Sequence, residues 1–226
     1  MNCGPAMNFK QVLDRYGFPV ISKLVAINIS RIRNTKDPHQ IMLRMFGGIN
    51  ATTGKVQHQS LPDKWKFLLE APFKISDYCC DIMKKKPLKA IGGLPFIGTL
   101  AADSDLRKEQ WRKSGCNVYS VTTGSSRPLS IWTEQDILIY IVREKLEIAS
   151  VYGEIVADPQ TGCLACTGED RTGCIFCLFG IAMEQKKRGC NRFQRMKVTH
   201  PALWVYAMDK LGIRQVMEFL GLPIEF

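Results

Sequence analysis

The chain has 226 residues, 46% of them hydrophobic, which is enough for one substantial core or for one domain with a small appendage. A net charge of +10 at pH 7 favours binding of phosphates or nucleic acid. The first residues lack a signal-peptide pattern, and no apolar run is long enough to cross a bilayer. We therefore expect a cytoplasmic protein without a membrane partner, whose nine clustered cysteines are ligands or thiols rather than a disulfide framework.

Four helices are predicted in the first part of the chain from polar caps followed by apolar residues at helical spacing. The first three run from Asn8 to Tyr16, from Ser22 to about Arg33, and from Asp37-Pro38 through Phe46. The fourth begins at Ser76, carries Cys79 and Cys80, and is expected to end at Pro87.

Strands and helices alternate in the second part of the chain. Two buried strands are predicted, Pro95 to Leu100 and Pro128 to Trp132, with a weaker strand near Val118. A basic helix precedes Val118, and Thr133 caps a long helix from Glu134 to Lys145. Two short helices end the chain, around Ala202–Lys210 and Arg214–Leu220. This alternation predicts an α/β fold with a parallel sheet.

A small metal-binding knuckle is predicted at Cys174 and Cys177. The Thr172-Gly173 turn aims both sulfurs at one point, and Ile175, Phe176 and Phe179 shield that point from water. Two more ligands are needed, and the chain offers two sources: the adjacent pair Cys79-Cys80, or Cys163 and Cys166.

The choice of the second pair separates two cofactors. Cys163, Cys166, Cys174 and Cys177 have a short but feasible spacing for a zinc ribbon. Cys79 and Cys80 would instead complete an iron–sulfur cluster, an interpretation favoured because the pair is otherwise unexplained. Neighbours on a helix point about 100° apart, so the two can share a cluster only near a helix end or irregularity.

Two further features indicate anion binding. Ser104 and Arg107 lie in a loop after a predicted strand, where open α/β sheets bind ligands, although a helix cap and a surface arginine explain them equally well. The segment from Glu184 to Lys197 has a net charge of +5 and follows the knuckle directly.

Five strings of the sequence resemble the phosphoadenylyl-sulfate (PAPS) reductase family of the PP-loop superfamily, in the family's order and over nearly the whole chain. The resemblance is greatest to the bacterial and mobile-element branch. The strings are KISDYCCDIMKKKPL (Lys74–Leu88), IGTLAADSDLRKEQW (Ile97–Trp111), PLSIWTEQDILIYI (Pro128–Ile141), DRTGCIFCLFG (Asp170–Gly180) and NRFQRMKVTHP (Asn191–Pro201).

The resemblance implies a partial adenine nucleotide α-hydrolase-like fold with a parallel sheet, a cysteine-rich metal knuckle and C-terminal helices. It implies that residues 1–150 are the later portion of the α/β domain and that 151–226 are the cluster-binding segment. It also implies a [4Fe–4S] cluster bound by Cys79, Cys80, Cys174 and Cys177, with zinc as the alternative metal.

The sequence departs from the family at two points. The Ser-Gly-Gly-x-Asp-Ser loop that wraps nucleotide phosphates and the C-terminal cysteine nucleophile are both absent from these 226 residues. We therefore expect an incomplete oxidoreductase or sulfurtransferase that acts on an adenylylated or phosphorylated substrate, with DNA phosphorothioation as a variant. A separate N-terminal fragment or a second copy would complete the sheet. The alternative is a non-catalytic, metal-containing remnant that binds nucleic acid or a protein.

Overall fold

The computed structural model describes residues 4–50, 53–54, 56–57, 60–120, 124–169 and 173–226. The α-helices within these ranges are α1 (Phe9–Tyr16), α2 (Lys23–Asn34), α3 (Pro38–Phe46), α4 (Tyr78–Cys80), α5 (Lys86–Ile91), α6 (Asp105–Ser114), α7 (Glu134–Arg143), α8 (Ile181–Arg188), α9 (Arg192–Thr199), α10 (Pro201–Val205) and α11 (Ile213–Phe219). The strands are β1 (Val20–Ile21), β2 (Gly48–Ile49), β3 (Val56–Gln57), β4 (Asn117–Val118), β5 (Ser125–Ser126), β6 (Ile155–Ala157), β7 (Leu164–Cys166) and β8 (Leu178–Phe179). The chain is thus a mixed α/β structure, as predicted.

Two compact units make up the chain. The first comprises Met1–Ile91 and Phe176–Phe226, and the second comprises Gly92–Ile175. The division at residues 1–150 and 151–226 that the resemblance implies stays a prediction.

A short parallel strand pair lies in the core of the first unit. Val20 of β1 pairs with Leu178 of β8, and both side chains are fully buried. A parallel bridge between Phe18 and Ile75 adds a neighbour on the other side of the same stretch of chain. Cys177 directly precedes β8, and Cys79 follows Ile75 by four residues. Both predicted pairs of cysteine ligands are therefore connected to this core by short stretches of chain.

Gly17 is required where α1 turns into this parallel stretch. Its φ is +96°, and an added Cβ would lie 2.3 Å from the backbone carbonyl carbon of Lys74. The amide of Phe18 donates to the Lys74 carbonyl oxygen at 2.9 Å, so the two backbones run in close contact. Only glycine satisfies both the left-handed conformation and the close approach.

Local capping explains why the predicted N-terminal helices form where they do. Asn8 accepts from the amide of Gln11 and forms a capping box with it, while Ser22 and Asp37 cap α2 and α3. In the second unit, Thr133 caps α7 and forms a capping box with Asp136. These four helix starts are confirmed.

The helix that carries Cys79 and Cys80 differs from its prediction. It does not end at Pro87: a π-helical stretch, Asp81–Lys85, follows α4 and leads directly into α5. Pro87 is the second residue of α5, where a missing backbone N–H is tolerated because the helix is restarting after an irregular turn.

The second unit contains two antiparallel pairs, β4 with β5 and β6 with β7. The side chain of Gln135 in α7 is hydrogen-bonded to both the amide and the carbonyl of Leu164, at 2.8 and 2.6 Å, and so fixes the helix against the β6–β7 hairpin.

The two apolar strands predicted in the second unit are wrong. Residues 128–131 form turns, with the Ser130 amide donating to the Arg127 carbonyl. Pro95 to Leu100 contributes only a single bridge, from Phe96 to Ser126. Phe96 is 82% exposed, so apolar composition there did not indicate a buried strand. The weak strand near Val118 is confirmed as β4.

Within the described residues, the helices are all too short or too polar to span a lipid bilayer.

Candidate metal centre

Cys79 and Cys80 lie beside an irregular part of their helix. They are the last two residues of α4, and the π-helical stretch begins immediately after them. A hydrogen bond links the side chains of Cys79 and Cys80. The sequence predicts that the pair can share a metal or cluster only near a helix end or irregularity, and the π-helical stretch is such an irregularity.

The surroundings of Cys80 favour its thiolate form. They lower the pKa of the Cys80 thiol to about 6: the hydrogen bond with Cys79 is the largest cause, the charges of Lys23 and Lys84 also lower the pKa, and partial burial and Asp77 raise it. Lys23 also lies 3.6 Å from the carboxylate of Asp77. A thiolate is the form of cysteine that binds metals.

Cys177 is held by Arg192. The guanidinium donates to the Cys177 carbonyl oxygen at 3.0 Å and to the Phe179 carbonyl oxygen at 3.2 Å, and it is fixed on its other side by an ion pair with Glu184. The amide of Phe179 donates to the Cys177 sulfur at 3.4 Å. The turn at Cys177 therefore has a defined shape, and its sulfur accepts from the backbone.

Phe9 connects the neighbourhoods of the two cysteine elements within the first unit. It packs against the buried cluster formed by Val12, Cys79 and Ile82. Its ring centroid also lies 6.0 Å from that of Phe176, the residue before Cys177. One aromatic side chain thus contacts the surroundings of Cys79 and the apolar cover predicted for the knuckle.

The remaining member of the predicted set, Cys174, belongs to the second unit and is partly buried. Thr172, which leads the predicted turn, lies outside the described residues. Because two residues separate them, the Cα atoms of Cys174 and Cys177 cannot be more than about 11 Å apart. In the described part of the chain, no three His, Cys, Asp or Glu side chains form a metal-binding group. The ligand set of Cys79, Cys80, Cys174 and Cys177 stays a prediction.

The second Cys-x-x-Cys has a geometry unlike a knuckle. Cys166 is the last residue of β7, and the Cys163 carbonyl accepts from the Asp158 amide at 2.8 Å, so extended ladder pairing reaches Cys163. Residues three apart on a strand point to opposite faces and lie roughly 10 Å apart along it. This arrangement does not direct both sulfurs at one zinc ion.

Ser104 and Arg107 have structural roles at the start of α6. Ser104 accepts from the amide of Arg107 at 3.3 Å and caps the helix, and Arg107 forms an ion pair with Asp103. Ser104 also lines a cavity of about 550 Å³ in the second unit, with Trp111 and Trp132, whereas Arg107 does not line it. Their predicted contact with a nucleotide stays a prediction.

Some cations of the basic segment after the predicted knuckle form ion pairs within the protein. Arg192 and Arg195 both pair with Glu184, and Lys197 pairs with Glu225 at 2.7 Å. The charge pattern alone did not indicate that Arg192 supports the Cys177 turn. The Asn191 capping box places Arg192 at the start of α9, and Glu184 lies eight residues before it, but neither feature identifies Cys177 as a partner of Arg192.

The described cysteines form no disulfide among themselves. Cys116 and Cys190 are partly buried, and Cys3 lies outside the described residues. Compared with known proteins, the chain matches no family model, no curated protein and no solved structure.

Proposed function

We propose that the chain is an iron–sulfur protein of the PAPS reductase type that acts in sulfur reduction or sulfur transfer on an adenylylated or phosphorylated substrate. The observation that carries the proposal is the Cys79–Cys80 pair, whose side chains are hydrogen-bonded to each other directly before the helix irregularity. A partial adenine nucleotide α-hydrolase-like fold is part of the proposal, and the mixed α/β structure with a buried parallel pair supports it at a coarse level.

The donor chemistry fits a thiolate-bound cluster. Cys79, Cys80, Cys174 and Cys177 would hold it, and when bound it would supply electron transfer or polarise a sulfur-containing substrate. Lys23 and Lys84 offset the negative charge of the thiolates. Such positive charge near the sulfurs raises the reduction potential of a cluster.

Two residues of the first unit, Arg192 and Phe176, support the proposed site. Arg192 fixes the backbone at Cys177 through two carbonyl oxygens. Phe176 precedes Cys177, and its ring contacts those of Phe9 and Tyr206 at centroid distances of 6.0 and 5.8 Å. These contacts place apolar and charge-complementary groups around the thiolates, as a cluster site needs.

Anaerobic purification with iron, sulfide and zinc analysis tests the proposal. We expect brown protein that absorbs near about 400 nm and contains iron and sulfide. Cys80→Ser, Cys174→Ser and Cys177→Ser should each lose the colour, whereas Cys116→Ser, a partly buried thiol elsewhere, should keep it. Protein that contains zinc, and that loses it on Cys163→Ser, would contradict the cluster.

A further inference from the structure

A basic cleft of about 800 Å³ lies in the first unit, where the last turns of α1 and α2 face the segment leading to Cys79. No described Asp or Glu lines it. Its walls carry four cationic side chains and two tyrosines: Arg15, Arg31, Arg33, Lys74, Tyr16 and Tyr78.

The four cations have no carboxylate partner in the described part of the chain. Arg33 donates to the carbonyl oxygens of Phe73 and Ala71, at 2.8 and 3.0 Å, and Lys74 donates to the Arg15 carbonyl at 3.4 Å. The carboxyl ends of two helices contribute only about half a negative charge each. Four formal positive charges outweigh them, so the cleft attracts anions.

Arg31, which lines the cleft, also repels the positive charge of Arg44. Burial lowers the pKa of the Arg44 guanidinium, and the nearby charge of Arg31 lowers it further. Arg44 Nε is buried without a hydrogen-bond partner among the described residues. A bound anion at Arg31 would relieve this repulsion.

The two tyrosine rings pack against each other in a tilted arrangement. The ring centroids of Tyr16 and Tyr78 lie 5.1 Å apart with an interplanar angle of 32°, and the guanidinium of Arg15 lies 5.3 Å from the centroid of Tyr16. Tyr78 is 50% exposed, so part of its side chain is accessible to a ligand. Stacked aromatic rings beside cations are the elements with which proteins bind unpaired bases and their phosphates.

The charge of the whole chain is concentrated in the unit that contains the cleft. The first unit has 23 Lys and Arg against 10 Asp and Glu, a net charge of +13. The second unit has 8 against 11, a net charge of −3. A positive domain of this kind attracts a polyanion over a distance greater than the cleft itself.

We infer that this cleft binds single-stranded nucleic acid, with phosphates contacting Arg15, Arg31 and Lys74 and a base stacked on Tyr78. An open strand fits better than a free nucleotide because Arg15, Arg31, Lys74 and Tyr78 are all exposed. Small-molecule sites enclose most of their ligand. The inference extends the proposed function by placing the polymer next to Cys79, but binding at the cleft requires no cluster.

Fluorescence anisotropy with labelled oligothymidylate and oligouridylate of about 12 nucleotides tests the inference on the full chain. We expect saturable binding whose logarithmic salt slope is about −2, corresponding to three phosphate contacts. Arg31→Ala should reduce the slope by about 0.7. Tyr78→Ala should weaken binding about tenfold, and Tyr78→Phe should restore it because stacking is retained.

Lys210→Ala is the matched control, since Lys210 is an exposed cation of the same unit that does not line the cleft. Its binding should stay within about twofold of the parent. Equal losses in Lys210→Ala and Arg31→Ala would overturn the inference, because they indicate non-specific charge attraction. Saturable binding of AMP with no binding of either oligonucleotide would also overturn it. Repeating the titration with Cys177→Ser separates the cleft from the proposed function, because loss of a cluster should leave oligonucleotide binding unchanged.

Discussion

At the scale of single residues, Cys80 shows how neighbouring groups favour the thiolate form of a cysteine. An isolated cysteine ionises near pH 8.5, so it is mostly protonated at neutral pH. In this chain, the hydrogen bond from Cys79 and the charges of Lys23 and Lys84 together outweigh burial. The sulfur is therefore available to a metal or an electrophile without an additional base.

The pH dependence of Cys80 alkylation in metal-free protein follows from this arrangement. We expect site-resolved labelling with iodoacetamide, followed by mass spectrometry, to give a half-maximal rate near pH 6. Lys23→Gln should move the midpoint to higher pH because one stabilising charge is lost, while Lys210→Gln should not. A midpoint above about 8 in the parent chain would mean that the thiolate is not stabilised.

The same shift predicts a direction for stability. The folded-state pKa of Cys80 lies below the unfolded value, so the contribution of this group to the free energy of unfolding is lost as the pH falls through about 6. It is fully present only above the unfolded pKa of about 8.5. Cys80→Ser should remove this part of the pH dependence in denaturant titrations.

At the scale of elements, the sequence predicts the features that depend on contacts between residues close together in the chain. The starts of α1, α2, α3 and α7 follow from caps whose partners lie within three residues. The π-helical stretch after Cys80 has no comparable local signal, because its hydrogen bonds depend on packing around Cys79 and Ile82. The prediction of strands near Phe96 and Ile131 is wrong because apolar composition does not identify a pairing partner.

The same distinction between local patterns and distant contacts applies to the candidate site. The spacing of the cysteines is visible in the sequence, and so is the need for an irregularity beside Cys79 and Cys80. The role of Arg192 is not visible, because its contacts with Cys177 cross 15 residues and depend on α9 packing beside β8. Side chains that act through distant backbone carbonyls leave no pattern in the residues around them.

Gly17 gives the clearest prediction at this scale. Gly17→Ala forces a Cβ to within 2.3 Å of the Lys74 backbone, at a φ that L residues rarely adopt. We expect a loss of about 3 kcal/mol in the free energy of unfolding, near the upper end for single substitutions. Gly54→Ala is the matched control, since Gly54 also has positive φ but open space around it. It should lose about 1 kcal/mol in the same urea titration, and equal losses would contradict the importance of the close approach.

At the scale of the whole molecule, both units expose large apolar side chains, and the three most exposed, Tyr119, Phe96 and Leu106, belong to the second unit. Several are more than half exposed: Leu94, Phe96, Leu106, Tyr119 and Ile131. Phe96 is 82% exposed and Leu106 is 80% exposed, although both are large apolar side chains. Where exposed apolar side chains form a contiguous patch, the patch marks a protein interface or an aggregation site more often than a free surface.

We expect copies of the chain to associate through these residues when no other partner is present. Burial of apolar surface contributes about 25 cal/mol per Å², so covering Phe96 and Leu106 in two copies offsets a substantial part of the cost of association. Size-exclusion chromatography with light scattering at micromolar concentration should show a dimer or larger species. The double variant Phe96→Ser, Leu106→Ser should shift the population toward monomer, whereas Val198→Ser, which changes an aliphatic side chain that is 71% exposed in the first unit, should not. A monodisperse and thermally stable parent monomer would show that the second unit needs neither a second copy nor a separate fragment to cover these side chains.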